Sequence, residues 1–241
     1  MNFDFAIIYF GLTRSIKKVY NSHYNNIFNV LKNNNLTYKI FMHTWKTKND
    51  EQRILRETID KKIDYEEYKL LNPDYYKLED QDIFTESINM DNYFFKDIFN
   101  KNGYCADGEW PPELILNHIC ALQSQKRGLE MVEDFVKDGN TFKYVMFIRP
   151  DSKFKNPLLI KELNTDKEII VPKFKSNEGY NDRFAIIKYD KAHIYGKRIN
   201  ELHHFRKENG RIVSEKYLKF IINKYNLNLQ KIKFKFITMR P

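Results

Sequence analysis

The chain has 241 residues, of which 42% are hydrophobic, 15% aromatic and 30% charged. This composition suits a globular domain with a substantial core and argues against intrinsic disorder, while only 8 glycines and 7 prolines exclude collagen-like and low-complexity classes. The formal net charge of +9 favours an anionic partner, and nucleic acid, anionic lipid and phosphorylated small molecules all fit that description.

The first elements along the chain predict a strand–helix–strand unit. An apolar run over Phe3–Leu12 is typical of a buried strand, and Gly11 marks a tight turn near its end. A helix of about 17 residues follows Ser15, which can cap it, and the second strand is expected at Tyr38–Thr44. Such a unit has a right-handed crossover and a parallel pair of strands.

The remaining segments extend this pattern, although residues between Lys46 and Gly108 are hard to assign. The expected elements are a short helix near Glu51–Asp60, a strand near Asp64–Leu71, a long helix from Pro111-Pro112 to about Lys137, strands at Tyr144–Ile148, Ile169–Val171 and Phe184–Lys188, a helix near Lys191–Leu202, a helix Glu215–Tyr225 capped by Ser214, and an edge strand Ile232–Thr238. Prolines are tolerated in a first helical turn, and alternating lysines suit an edge strand. We therefore expect one α/β domain with a mostly parallel central sheet flanked by helices.

Open α/β sheets bind ligands at the carboxyl ends of their strands, and three polar clusters fall at such ends. Gly11, Thr13 and Arg14 follow the first strand. They offer close backbone approach, a hydroxyl and a bidentate fork for phosphate. A turn glycine with a solvated arginine explains the same residues, and the segment is not a Gly-rich loop of the Walker or dinucleotide type.

The second cluster is Arg149, Asp151 and Lys153 at the end of the strand Tyr144–Ile148. A single carboxylate at this place suits a hard divalent cation that bridges two phosphates, and the two cations would share the charge of a pyrophosphate. A surface salt bridge is the alternative explanation.

The third cluster is a loop that contains Asn181, Asp182 and Arg183 and leads into the next strand. Loops with several convergent polar groups are often binding sites, but an Asn-Asp turn with Arg183 paired to Asp182 explains the pattern as well. Glu215 lies in the first turn of its helix, where the helix dipole alone justifies a carboxylate.

The long helix carries a stripe of small or polar residues on one face, flanked by Lys126 and Arg127. The stripe consists of Asn117, Ala121, Ser124 and Gly128. Such a stripe permits close approach of the helix backbone, either to the sheet or to a ligand. Packing on the sheet is the commoner use.

Cys105 and Cys120 are too few for a disulfide scaffold and lack the spacing of a metal site, so we expect reduced thiols in a cytosolic-type compartment. The first residues have no basic segment, and no apolar run approaches the ~18 residues of a membrane span. We therefore expect a cytoplasmic protein without a transmembrane segment.

Taken in order, five segments resemble the GT-A-type glycosyltransferases, in particular small stand-alone enzymes of large DNA viruses and of bacterial surface-polysaccharide clusters. The segments are Gly11-Leu12-Thr13-Arg14, Phe41–Trp45, Gln123–Arg127, Phe147–Asp151 and Asn181–Ala185. The resemblance implies a single Rossmann-like domain. Residues 1–45 and 112–190 would form its nucleotide-sugar half, 46–111 a variable insert and 191–241 the acceptor-side and C-terminal elements. For a viral protein, the compartment would be the host cytoplasm.

In that family a nucleotide-sugar lies across the strand ends, and a D-x-D motif holds Mn or Mg against its diphosphate. Arg149-Pro150-Asp151 stands in the matching place and keeps only the last acid, so the resemblance implies Asp151 as metal ligand and leaves strict metal dependence open. The other implied donor-binding residues are Gly11, Thr13, Arg14, Lys126, Arg127, Arg149, Lys153 and Asn181. Asp182 would be the base of an inverting reaction, with Glu215 as its substitute.

The implied partners are a nucleotide-sugar and a glycan or glycoprotein acceptor, with no nucleic acid expected. Two other hypotheses stay open. The net charge of +9 favours a module that binds single-stranded nucleic acid, although no nucleic-acid motif is present. The other hypothesis is a nucleotidyltransferase of similar fold. That class carries a loop after the first strand, and the segment Gly11-Leu12-Thr13-Arg14 is a poor version of this loop.

Overall fold

The computed structural model describes residues 1–48, 62–94 and 110–240. In this part of the chain the strands are β1 Asn2–Phe10, β2 Tyr38–Lys46, β3 Tyr75–Asp80, β4 Thr141–Ile148, β5 Ser152–Phe154, β6 Ile169–Pro172, β7 Phe184–Lys188, β8 Leu229–Ile232 and β9 Phe236–Thr238. The α-helices are α1 Ile16–His23, α2 Asn29–Asn33, α3 Gln81–Glu86, α4 Pro112–Lys137, α5 Ala192–Gly196, α6 Leu202–Asn209 and α7 Ser214–Lys224. The helix expected near Glu51–Asp60 and the thiol of Cys105 lie outside the described residues.

Seven of the described strands form one sheet in the order β3-β2-β1-β4-β7-β6-β8. The strands β3, β2, β1 and β4 are parallel to one another, and β7 runs antiparallel to both of its neighbours. The pair β6 and β8 is again parallel, and β5 and β9 form a small separate antiparallel pair. This mostly parallel sheet flanked by helices confirms the predicted α/β class.

The N-terminal strand–helix–strand unit is also confirmed. β1 pairs in parallel with β2, from Phe5 opposite Tyr38 to Phe10 opposite His43. The connection is α1, a π-helical turn at Tyr24–Phe28 and α2. The crossover covers one face of the sheet, as a parallel pair of strands requires.

The core lies on both faces of the sheet because β1 is apolar at every position from Phe5 to Phe10, all of them buried. Ile7 and Tyr9 point into one core cluster, while Ile8 and Phe10 point into the other. The helix α4 packs across the second face. No helix among the described residues is long and apolar enough to span a membrane.

The strand expected over Asp64–Leu71 is wrong, because Tyr65–Leu71 is a 3-10 helix. The Asp64 carboxylate accepts a hydrogen bond of 3.0 Å from the backbone N–H of Glu66 and so caps that helix. The strand at this edge of the sheet is β3, which follows it and was not predicted.

Both serine caps are wrong as well. Ser15 stands at the N-terminal cap of α1, but its side chain makes no capping hydrogen bond. Ser214 is the first residue of α7, and its hydroxyl donates to the Glu215 carboxylate over 3.0 Å. The predicted helix near Lys191–Leu202 is divided into α5, a 3-10 helix and the start of α6.

The expected edge strand Ile232–Thr238 is divided between two sheets. β8 ends at Ile232 on the edge of the main sheet, and β9 begins at Phe236 and pairs with β5. The alternation that led to the prediction is real, since Phe234 is buried while Lys233 and Lys235 are exposed. The apolar residues of this segment cover the end of the core beside β5.

Candidate functional site

A cleft with a volume of about 150 Å³ opens at the carboxyl ends of β1 and β4. The residues after β1 supply Gly11 and Arg14, and the residues after β4 supply Arg149 and Asp151. Parallel strands bring these two segments to the same edge of the sheet, since Tyr9 pairs with Ile148. Two of the three predicted polar clusters therefore meet in one cleft.

Gly11 forms the turn after β1 with a φ of +95°, a conformation that favours glycine. Its N–H donates to the Ser124 Oγ of α4 over 2.8 Å. The same hydroxyl donates to the carbonyl of His43 over 3.0 Å and lies 2.8 Å from the His43 Nδ1. Ser124 thus ties the ends of β1 and β2 to α4 and fixes the floor of the cleft.

The predicted stripe on α4 packs on the sheet at one end and lines the cleft at the other. At Gly128 the helix approaches the sheet so closely that an added Cβ would lie 2.3 Å from the Ile8 Cγ2. Two and three turns towards the N-terminus of α4, Ala121 and Asn117 line the cleft. The C-terminal half of the stripe therefore packs on the sheet, and its N-terminal half faces the cavity.

Asp151 is held by two arginines. Its carboxylate accepts from the Arg149 Nε over 3.0 Å and from the Arg149 Nη2 over 2.5 Å, a bidentate pair, and the Arg14 Nη2 lies 3.5 Å away. Asp151 is only 2% exposed, whereas the Arg149 side chain is 29% exposed towards the cleft. Arg240 lines the cleft as well. We call Arg14, Arg149, Arg240 and Asp151 the arginine cluster.

The arginine cluster carries an excess of positive charge. Burial by itself would raise the pKa of Asp151, but Arg149 and Arg14 outweigh burial and lower that pKa, so the carboxylate is ionised at neutral pH. Burial likewise opposes the charged form of Arg149, and the Asp151 carboxylate reverses this and raises the pKa of Arg149. Three arginines and one carboxylate line the cleft, and the excess positive charge attracts an anion into it.

The residues present do not fit a divalent metal at Asp151. Both of its carboxylate oxygens already accept from guanidinium groups. In the described ranges, no three His, Cys, Asp or Glu side chains come together in a way that could hold a metal ion. A divalent cation binds several oxygen ligands and would here stand among arginines.

Asp182 lies beside the arginine cluster, because β7 runs antiparallel to β4 and the Arg149 N–H donates to the Arg183 carbonyl over 3.3 Å. The Asp182 Oδ1 is 3.5 Å from the Arg183 Nη1. Burial would raise the pKa of Asp182, but the positive charge of Arg183, with smaller contributions from His118, Arg198 and Arg149, lowers it. Asp182 is therefore an ionised, half-buried carboxylate next to the cleft.

Glu215 has a different position, because it is completely buried and both of its carboxylate oxygens accept hydrogen bonds. Its Oε1 accepts from the Arg183 Nη1 over 3.2 Å and from the Asn177 Nδ2 over 3.1 Å, while its Oε2 accepts from Ser214. We call these four residues the loop anchor. An added Cβ on Gly179 would lie 1.9 Å from the Glu215 carbonyl oxygen, so the loop and α7 are in direct backbone contact.

The other predicted donor-binding residues are placed away from the cavity. Asn181 is buried and holds the loop, since its Nδ2 donates to the Phe174 carbonyl over 2.9 Å and its Oδ1 accepts from the Arg183 N–H over 3.0 Å. Thr13 is buried, and its hydroxyl has no hydrogen-bond partner among the residues that the structure describes. Neither residue lines the cleft as the described part of the chain forms it.

The three remaining predicted cations do not line the cleft as the described residues form it. Lys126 reaches the Asn200 side chain over 3.5 Å, and Arg127 pairs with Glu79 and with Glu130. Lys153 lies in the small pair β5–β9, opposite Ile237.

Sequence reasoning missed Arg240 as a residue of the cleft. Arg240 arrives there because the Met239 N–H donates to the Asp151 carbonyl over 2.8 Å, directly after the β5–β9 pair. Trp45, at the end of β2, also lines the cleft, and it is buried and donates from its Nε1 to the Cys120 carbonyl over 3.1 Å. Only the pairing of β9 with β5 reveals Arg240, and no local pattern indicates it.

No protein-family model and no curated protein matches the sequence. Among solved structures, the chain is similar to the glycosyltransferase GlyE of Streptococcus pneumoniae TIGR4, with 10% identity and a TM-score of 0.42 over 97% of this chain and 46% of that chain. The apo form of GlyE gives 13% identity and a TM-score of 0.42 over 96% and 46%. This chain therefore spans about half the length of GlyE. Mouse xyloside xylosyltransferase 1, in its apo form, gives 10% identity and a TM-score of 0.41 over 96% of this chain and 85% of that chain.

Proposed function

We propose that this protein is a glycosyltransferase, which moves a sugar from a nucleotide-sugar donor to a glycan or protein-linked acceptor. The observation that carries the proposal is the arginine cluster at the carboxyl ends of β1 and β4, with the ionised carboxylate of Asp182 beside it. The arginine cluster supplies positive charge for a phosphate-bearing leaving group, and Asp182 supplies a base.

The reaction needs both parts. The bond between the anomeric carbon of the sugar and the β-phosphate oxygen breaks, and a nucleoside diphosphate leaves with the electron pair. Arg14 and Arg149 stabilise the negative charge that develops on that diphosphate. The acceptor hydroxyl forms the new bond to the anomeric carbon, and its proton passes to Asp182, which acts as the general base of an inverting transfer.

The first test is a panel of nucleotide-sugars and nucleoside diphosphates, examined by thermal shift. A ligand present at 100 times its dissociation constant stabilises the folded protein by about 2.7 kcal/mol. For each donor that binds, the released product is then identified. A nucleoside diphosphate supports glycosyl transfer, whereas a sugar 1-phosphate indicates nucleotidyl transfer and contradicts the proposal.

The second test is Asp182→Asn, compared with Asp190→Asn as a matched control on an exposed residue. Loss of the base is expected to lower turnover by roughly 10²- to 10⁴-fold and to leave the affinity for the donor unchanged. The control is expected to behave as the unaltered protein. Near-normal turnover of a folded Asp182→Asn protein would remove Asp182 from this role.

A further inference from the structure

The arginine cluster has a consequence for how the donor is held. We infer that this cleft binds the diphosphate through guanidinium groups in place of a divalent cation, with Asp151 as a positioning residue for the arginines. The inference rests on the proposed function for the identity of the ligand. It concerns a nucleoside diphosphate, with inorganic pyrophosphate as the smallest ligand of that chemistry.

Asp151 holds the Arg149 guanidinium in a fixed orientation. A bidentate pair fixes the plane of the Arg149 guanidinium, because two N–H groups of the fork are bound to two oxygens of one carboxylate. The carboxylate is 2% exposed, whereas 29% of the Arg149 side chain remains accessible. The aspartate is thus behind the arginine, and the arginine is what an incoming ligand meets.

Positive charge is in excess among the residues that line the cleft. Arg14, Arg149 and Arg240 all line the cleft, and Asp151 is the one carboxylate among the lining residues that the structure describes. A divalent cation would have to displace a guanidinium from Asp151 and would then be repelled by the remaining positive charges. A diphosphate meets the same cluster with the opposite sign, and its oxygens accept from planar guanidinium forks.

The arginine cluster is assembled before any ligand binds. Its arginines come from three distant segments of the chain, and each segment is held in place by hydrogen bonds. Ser124 holds the turn that precedes Arg14, the strand β4 delivers Arg149, and the hydrogen bond from the Met239 N–H to the Asp151 carbonyl holds the segment of Arg240. The positive charge that a metal would bring is therefore present and oriented before the ligand binds.

The experiment measures binding by isothermal titration calorimetry, with UDP, GDP and pyrophosphate as probes, once in EDTA and once in Mn²⁺. We expect at least one probe to bind in EDTA with an affinity within about threefold of that in Mn²⁺. Because charge-assisted hydrogen bonds are the strong ones, Arg149→Gln is expected to weaken binding roughly tenfold or more. Arg149→Lys keeps the charge but loses the fork, so it recovers only part of the affinity.

The matched control is Lys137→Gln, which removes one positive charge at the exposed far end of α4 and is expected to leave binding unchanged. Asp151→Asn separates the two roles of the aspartate. As a positioning residue, its loss weakens binding in EDTA and in Mn²⁺ to the same extent. As a metal ligand, its loss would affect only the titration in Mn²⁺. If Asp151→Asn does not fold, the comparison of Arg149→Gln with Arg149→Lys tests the inference.

Binding that requires Mn²⁺ and disappears in EDTA would overturn the inference, and so would the failure of every probe to bind under either condition. Electron paramagnetic resonance of Mn²⁺ gives an independent readout, since the protein alone is expected to leave the spectrum of the free ion unchanged. Binding in EDTA without sugar transfer would contradict the proposed function only. Transfer that depends on Mn²⁺ would contradict this inference only.

Discussion

Two arginine–carboxylate clusters lie side by side at one edge of the sheet, and they differ in which charge is in excess. In the arginine cluster, three arginines and one carboxylate line the cleft, and part of the Arg149 side chain is accessible. In the loop anchor, Arg183 is paired with the buried Glu215, and it is also paired with Asp182 just outside the loop anchor. The arginine cluster is therefore suited to hold an anion, whereas Arg183 is outnumbered by the two carboxylates that pair with it.

The difference explains why similar residues have dissimilar roles. A buried carboxylate whose two oxygens both accept hydrogen bonds stabilises the structure and is out of reach of a substrate. Glu215 is in that state, with Arg183, Asn177 and Ser214 as donors. Asp182 is paired with the same Arg183 at a longer distance. Of the two carboxylates, Asp182 is therefore the one that can accept a proton as a base.

The largest expected effect comes from acid, because one buried histidine lies near each cluster. Burial lowers the pKa of His23, beside Asp151, to about 3 and that of His118, near Asp182, to about 4. The unfolded chain binds these protons near pH 6.5, so stability is complete above that pH and falls as the pH decreases towards 4 and then 3. The slope is on the order of 1.4 kcal/mol per pH unit for each histidine.

Urea unfolding between pH 7 and pH 5 measures this slope, because the lowered pKa values of Asp151 and Asp182 confine their contribution to more acidic pH. The variant His118→Gln is expected to reduce the slope and to leave the contributions of His23 and of His43, whose pKa burial also lowers. A free energy of unfolding that stays constant over this range would contradict the prediction.

The next effect is the loss of the loop anchor in Glu215→Ala. Removal of the carboxylate leaves Arg183 and Asn177 without their buried acceptor, which costs about 3–5 kcal/mol of unfolding free energy. Urea unfolding measures it, and Glu208→Ala on an exposed part of α6 is the control. Because the arginine cluster is untouched, the affinity for a nucleoside diphosphate is expected to be unchanged in the protein that folds. A loss below about 1 kcal/mol would remove the structural role of Glu215.

A smaller effect is expected for Ser124→Ala, which acts on the arginine cluster from below. The Gly11 N–H and the His43 carbonyl both lose a buried partner, at a cost of about 2 kcal/mol. The turn that precedes Arg14 is then less fixed, so the affinity for a nucleoside diphosphate also decreases. Ser87→Ala on an exposed serine is the control. Unchanged affinity would show that the turn does not position Arg14.

The smallest effect is expected for Gly128→Ala, which disturbs the contact between α4 and the sheet beneath both clusters. The added methyl group would lie 2.3 Å from the Ile8 Cγ2, and such overpacking costs about 1–3 kcal/mol. Alanine is the better helix former by about 1 kcal/mol, so the net loss is about 1 kcal/mol. Thermal unfolding measures it, and a stabilised variant would mean that Ile8 moves aside freely.

Much of the fold follows from local patterns. The apolar run before Gly11, the helix that starts at Pro112 and the compact strand before Arg149 were predicted within a few residues, because hydrophobic periodicity and punctuation by glycine and proline are local properties. The strand expected over Asp64–Leu71 failed for the same reason. Its apolar residues alternate only loosely, and the cap by Asp64 favours a 3-10 helix.

The sequence by itself determined the α/β class and indicated that Gly11, Arg14, Arg149 and Asp151 follow strands. Only the tertiary structure decided that Asp151 is bound by arginines, that Glu215 is buried among hydrogen-bond donors, and that Arg240 reaches the same cleft. The physical reason is that a side chain's partners depend on strand order and on contacts between distant segments. Charge and hydrogen bonding act through space, so residue types along the chain cannot specify which arginine finds which carboxylate.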